Sequence, residues 1–204
     1  MSNPLPINSI QSHSQILRYP KGGKSLIAKD EWQVWDNPTE IGSSSLFDLA
    51  SPKNKMLLPF HWWRGQLEGH QHEADKANIL ATAKNAQMGV WFAADDDILK
   101  HADMIEQGKQ YWPLVAVHFP LFRDGRGFST AALLRNRFGW NTEIRMIGDV
   151  LIDQLLQGAR VGFDSFALRS DQDLTVALKQ FDLFTVTTQN SWRDKRSILA
   201  TQLA

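Results

Sequence analysis

The 204-residue sequence predicts an α/β fold built on a mostly parallel sheet of about five βα units. Three observations predict it. Apolar runs of strand length alternate with helical patterns from Met56 to Phe181. Acidic residues or a serine follow most of these runs, where they suit helix N-termini. The composition, 43% hydrophobic and 22% charged, is that of a globular domain able to bury a sizeable core. Regular spacing favours a partial or small TIM-like barrel over an open doubly wound sheet, and a full eight-fold barrel needs at least ~200 residues.

The elements read in order as follows. Residues 1–24 are polar and form a flexible lead-in. Ser25 to Trp35 is a strand or a hairpin edge. Residues 37–54 make a loop with a short helical turn near Leu46 to Leu49. Met56 to Trp62 is the first apolar run, which as a strand points the Trp62 and Trp63 rings to opposite faces and leaves one exposed. A polar helix spans residues 66–85. Gly89 to Ala94 is the second run, and Asp95-Asp96-Asp97 caps a helix from Ile98 to Gln107. Pro113 to Pro120 is the third; Ser129 then caps a helix that Gly139 terminates. Glu143 to Gly148 is the fourth, followed by a helix through Leu155 and Leu156. Ser165 to Arg169 is the fifth, and Asp171 opens a helix through Leu178. Phe181 to Thr188 is a last extended edge. The core domain thus runs over 25–188, with a C-terminal helical tail at 189–204.

Composition narrows the chemistry. Lysine plus arginine equals aspartate plus glutamate, at 22 each, so no global field draws in nucleic acid. With no cysteine, the chain offers no disulfide, thiolate metal site or thiol redox chemistry. Met1 to Ser14 lacks the basic start and apolar run of a signal peptide, and no apolar stretch has membrane-spanning length; a cytoplasmic protein is expected. His70, His72 and Glu73 resemble a metal cluster only loosely, because helical residues two apart diverge; no metal site is expected. Phosphate-loop, dinucleotide, nucleophile-elbow and zinc-protease motifs are lacking.

In a parallel sheet the loops at the strand carboxyl ends build the site. After the third strand comes Arg123-Asp124-Gly125-Arg126-Gly127-Phe128-Ser129. Its glycines permit positive φ and close ligand approach, its arginines offer planar forks, and Ser129 with the first helical N–H groups offers anion donors. A plain structural turn, with Asp124 pairing an arginine, is the alternative. Arg145 sits inside an apolar strand and needs a ligand or a carboxylate such as Asp124, Asp149 or Asp153. His118 near a strand end is a candidate general base or a satisfied half-buried residue; His61 has the same two readings. The catalytic candidates are Asp124, Asp149 and His118. The anion-binding candidates are Arg123, Asp124, Gly125, Arg126, Gly127, Ser129, Arg145 and Asp149.

Three segments carry a resemblance: Phe119 to Ser129 with Leu134-Arg135, Glu143 to Gln154, and Arg160 to Phe166. Together they resemble the bacterial family catalogued as domain of unknown function 934, over about Ser25 to Thr188. The resemblance implies a link to sulfur assimilation, with genes near sulfite reductase and a label of oxidoreductase of sulfite reduction. It names no catalytic residue or cofactor. His118 stands where an acidic residue is common and Val161 where a cysteine is common, which weakens a thiol mechanism.

The expectation is therefore an accessory or anion-binding protein of sulfite reduction, with sulfite reductase or another sulfur-assimilation protein as partner. The alternatives are a small-molecule enzyme acting on a phosphate- or carboxylate-bearing ligand, and a protein-interaction domain using Trp62, Trp63 and the C-terminal helix. Oligomeric state is left open.

Overall fold

The computed structural model describes residues 13–36, 55–68, 73–85, 87–184 and 189–193. The expected turn near Leu46 to Leu49, the His70/His72 pair and the tail beyond residue 193 lie outside them.

Eight strands form one curled, mostly parallel sheet. They are β1 (Gln15–Arg18), β2 (Leu26–Lys29), β3 (Trp32–Val34), β4 (Lys55–Pro59), β5 (Met88–Phe92), β6 (Leu114–Phe119), β7 (Glu143–Gly148) and β8 (Ser165–Phe166). Their spatial order is β2-β1-β8-β7-β6-β5-β4-β3. From β3 to β8 every pair is parallel and the order never reverses. A doubly wound sheet reverses at a switch point, so that alternative does not fit. The helices are α1 (Phe60–Glu68), α2 (Glu73–Lys84), α3 (Ala102–Gly108), α4 (Arg126–Asn136), α5 (Leu155–Val161) and α6 (Leu174–Leu178).

Strand alternation sorts the core into two faces. Met56, Leu58, Val90, Phe92, Val117, Phe119, Ile144 and Met146 pack against the helices. Leu57, Trp91, Leu114, Ala116 and Ile147 point the other way, into a smaller cluster formed by strand and strand-end residues alone. No helix among the described residues contributes to that face, which is the inside of the curl.

The N-terminal region departs from expectation. Residues 15–18, read as part of a flexible lead-in, form β1, which pairs antiparallel with both β2 and β8. Only Ile16 and Leu17 are apolar there, too few to signal a strand; its sheet neighbours supply the reason for it. Ser25 to Trp35 is no hairpin either. It makes β2 and β3, the two opposite edges of the sheet, joined only by Asp30 and Glu31. Three Cα–Cα steps of about 3.8 Å bring those edges within about 11 Å at this end.

Trp62 and Trp63 sit on α1, because the first run stops being a strand at Pro59. Both rings are buried, and Trp63 donates to the Gly89 carbonyl at 3.2 Å. The single polar helix expected at 66–85 is thus α1 followed by α2. Asp97 caps a turn at Leu99 and Lys100, and the helix proper begins only at Ala102. Asp173, not Asp171, caps α6, accepting from the Thr175 and Val176 N–H groups. Phe181 lies in a 3-10 turn (Lys179–Asp182), not in a strand.

Candidate functional site

The turn after β6 opens directly into α4. Gly125 is the N-cap and Ser129 lies inside the helix, so Ser129 does not cap it. Asp124 does that work, accepting from the Arg126 backbone N–H at 3.2 Å. Its carboxylate also takes a two-pronged bond from the Arg126 guanidinium, at 2.9 Å from Nε and 2.6 Å from Nη2. Hydrogen bonding to Arg126 holds the Asp124 carboxyl below its ordinary range. Neither glycine of the motif uses positive φ. Gly125 has φ −80°, while Gly127 is required by close packing: a Cβ there would lie 2.5 Å from the Phe119 ring.

Asp149, which follows β7, is 6% exposed and joins three strand-end loops. One oxygen accepts from the Phe122 N–H at 2.8 Å, the other from Arg169 at 2.8 Å. Arg169 also grips Asp171, whose carboxyl is pulled down to about 2 by that bond. Gln154 reinforces the same corner through the Leu151 N–H and the Phe122 carbonyl. The consequence is a fixed turn that presents Leu121, Phe122 and Arg123 outward. Leu121 and Phe122 are 49% and 47% exposed. Arg123 is exposed and makes no hydrogen bond or ion pair among the described residues.

Arg145 does not reach Asp124 or Asp149. It points inside the curl, 2% exposed, and donates to Asp30 at 2.8 Å, Glu143 at 3.2 Å and Ser165 at 3.3 Å. Glu143 shares the Arg145 face by strand alternation, a signal legible in sequence. Asp30 lies 115 residues away and leaves no local trace.

His118 lies on the inner face near the end of β6, its ring 5.7 Å from Trp91. Its Nε2 is buried and makes no hydrogen bond among the described residues. Gly148 lies against it with φ +98°. Burial pulls the imidazole below its ordinary value of 6.5, with the Asp36 charge opposing. The unfolded chain therefore takes up a proton that folded His118 refuses. Stability falls as pH drops below about 6.5 and keeps falling until the folded imidazole titrates. Urea unfolding at about pH 7.5 and about pH 5.5 reads this slope, and His118→Gln makes it shallower. An unchanged slope in His118→Gln removes this residue from the account.

Sequence reasoning passed over one further feature. A cleft of about 410 Å³ lies between the loop after β5 and the first turns of α4. Asp95, Asp96 and Asp97 line one wall; Arg126, Ser129 and Thr130 line the other. Burial raises the Asp96 carboxyl, and the Ala93 N–H bond at 2.7 Å opposes it. The three aspartates were legible as helix caps, which concealed their place beside Arg126. No group of three or more metal-ligating side chains occurs among the described residues.

A family model described as a bacterial protein of unknown function (DUF934) matches residues 89–199. No curated protein and no solved structure matches.

Proposed function

The chain belongs to the DUF934 family of bacterial proteins, and from that premise we propose that it is an accessory protein of sulfite reduction, binding sulfite reductase or another sulfur-assimilation protein. The observation that carries this reading is the turn held by Asp149. It offers Leu121, Phe122 and Arg123 side by side on a backbone fixed by three loops. A rigid, exposed patch of aromatic, aliphatic and arginine side chains is what interface hot spots are made of. The chain has no cysteine, so an oxidoreductase role needs electrons delivered through a partner or a bound cofactor. Among the described residues no helix is long and apolar enough to cross a membrane, and we place the protein in the cytoplasm with its proposed partner. We read β4 to β8 with their following helices as the five βα units of a partial TIM-like barrel, whose working end is the strand carboxyl rim.

Tagged full-length protein is expected to retain sulfite reductase in a pull-down, and Phe122→Asp with Leu121→Asp to lose at least about tenfold in binding while melting like the parent. No retention of the reductase, with normal growth of a deletion strain on sulfite, would sink the proposal.

A second reading is favoured by the cleft beside α4, whose volume suits a small ligand. Here the protein acts on a phosphate- or carboxylate-bearing molecule, with Arg126 exchanging Asp124 for the ligand and Ser129 and Thr130 donating beside it. Calorimetric titration with phosphate and with sulfite, against Arg126→Gln, separates this reading from partner binding.

A further inference from the structure

The opposite end of the sheet holds a site that neither function above uses. Helix α5 ends at Gly162, which adopts φ +128° and turns the chain into Phe163 and Asp164. A helix C-terminus concentrates unpaired carbonyls and favours a cation. Here the Ala159 and Phe163 carbonyls and the Asp164 carboxylate converge on one slot. Arg193 fills it. Its Nε donates to the Ala159 carbonyl at 3.1 Å, and its Nη2 to the Phe163 carbonyl at 2.5 Å and to Asp164 Oδ1 at 3.3 Å. The Tyr19 ring lies 4.3 Å from the guanidinium carbon.

The neighbouring residue covers what lies beneath. The Trp192 ring packs on Arg135, whose Cζ lies 4.0 Å from the ring centre, and Lys21 Nζ lies 4.4 Å from the same centre. Arg135 is sealed, with its side chain 0% exposed, and pairs with the other oxygen of Asp164. It also donates to the carbonyls of Gly162, Trp140 and Thr142. All the acceptors around Arg193 belong to the domain. Among the described residues, side chain 193 and the Trp192 N–H, which donates to the Arg160 carbonyl at 3.0 Å, tie this dipeptide to the domain by hydrogen bonds, and Arg160 in turn donates to the Gln189 carbonyl at 3.4 Å.

We propose that the Ala159–Phe163–Asp164 slot is a guanidinium-binding site closed in cis by Arg193, and that Trp192 and Arg193 form a releasable clasp over it. The fork geometry selects guanidinium over ammonium, because three acceptors in two directions match a planar five-donor group and not a point charge. A vacated slot binds an alkylguanidinium, or an arginine side chain presented in trans.

Chemical rescue of the full chain tests this. Arg193→Ala is expected to lower the thermal midpoint by roughly 5 °C, and hydrogen exchange to show the Trp192 amide losing protection while β6 and β7 keep theirs. Millimolar ethylguanidinium restores most of the midpoint; ethylammonium at the same concentration does not. Equal rescue by both cations, rescue by neither, or an unshifted midpoint overturns the proposal. Should Arg193→Ala fail to fold, Arg193→Lys serves: it keeps the charge and is expected to fold with a faster-exchanging Trp192 amide. Parent-like protection in Arg193→Lys overturns the proposal equally.

Discussion

Arg145→Met is expected to cost about 3–5 kcal/mol of stability, the usual loss when one partner of a buried ion pair is removed. The residue is 2% exposed, and its side chain and that of Asp30 are 3% and 2% exposed. Methionine fills the volume but leaves the Asp30 carboxylate, among the described residues, with the Trp32 N–H at 3.1 Å alone. Glu143 suffers less, because Arg18 at 2.8 Å and the Ser165 hydroxyl at 2.6 Å still hold it. For a chain of this size the thermal midpoint drops by roughly 6–20 °C. The double variant Asp30→Leu/Arg145→Met decides the cause. Replacing a whole buried pair by apolar groups is often neutral or better, so it regains most of what the single variant loses. A double variant as unstable as the single one would show that Arg145 is held for something other than Asp30. Urea unfolding midpoints, with unchanged slope, measure both.

Gly148→Ala is the second large effect, at about 3–5 kcal/mol. Two costs add. The backbone sits at φ +98°, where a Cβ is strained. The new Cβ would also stand 2.4 Å from the Phe119 carbonyl and 2.6 Å from the His118 ring. The carbonyl belongs to the β6 strand and cannot move without breaking its pairing. His118 and Asp149 would both shift, so the Phe122 N–H loses its acceptor and the outward turn loosens. Gly125→Ala is the control: its φ of −80° suits any residue and the nearest side-chain atom lies 4.0 Å away. It is expected to change stability by less than about 0.5 kcal/mol. Equal losses in the two variants would contradict this account of the site's backbone.

These variants mark where the sequence was readable. β7 falls on Glu143–Gly148, as its apolar alternation predicts, and β6 matches to within a residue at each end. Such strands are flanked on both sides and carry near-continuous apolar signals. β1 and β8 have four and two residues, so neither shows a period of its own. The double tryptophan misled because Pro59 ends β4 without a loop, and a helix starts at the next residue. Among site residues, the Asp124–Arg126 pair was legible from spacing of two. The Asp149–Arg169 and Asp30–Arg145 pairs were not, since each joins residues that only the sheet order makes neighbours. The glycine signal was read at the wrong positions: Gly125 and Gly127 attract attention as a motif, while Gly148 alone carries the left-handed turn beside the site.

The pairing of β1 with β8 bears on how the chain is made. Leu17 faces Phe166 across that ladder, 149 positions later in synthesis. At about 5–20 residues per second, the ribosome exposes β1 roughly seven to thirty seconds before its partner exists. During that interval Ile16 and Leu17 have no sheet neighbour except β2, and an isolated two-stranded ribbon is marginal in water. The β1–β2 edge of the sheet is therefore docked onto β8 last, although it is made first. Slowed elongation lengthens the period in which nascent chains can pair with one another.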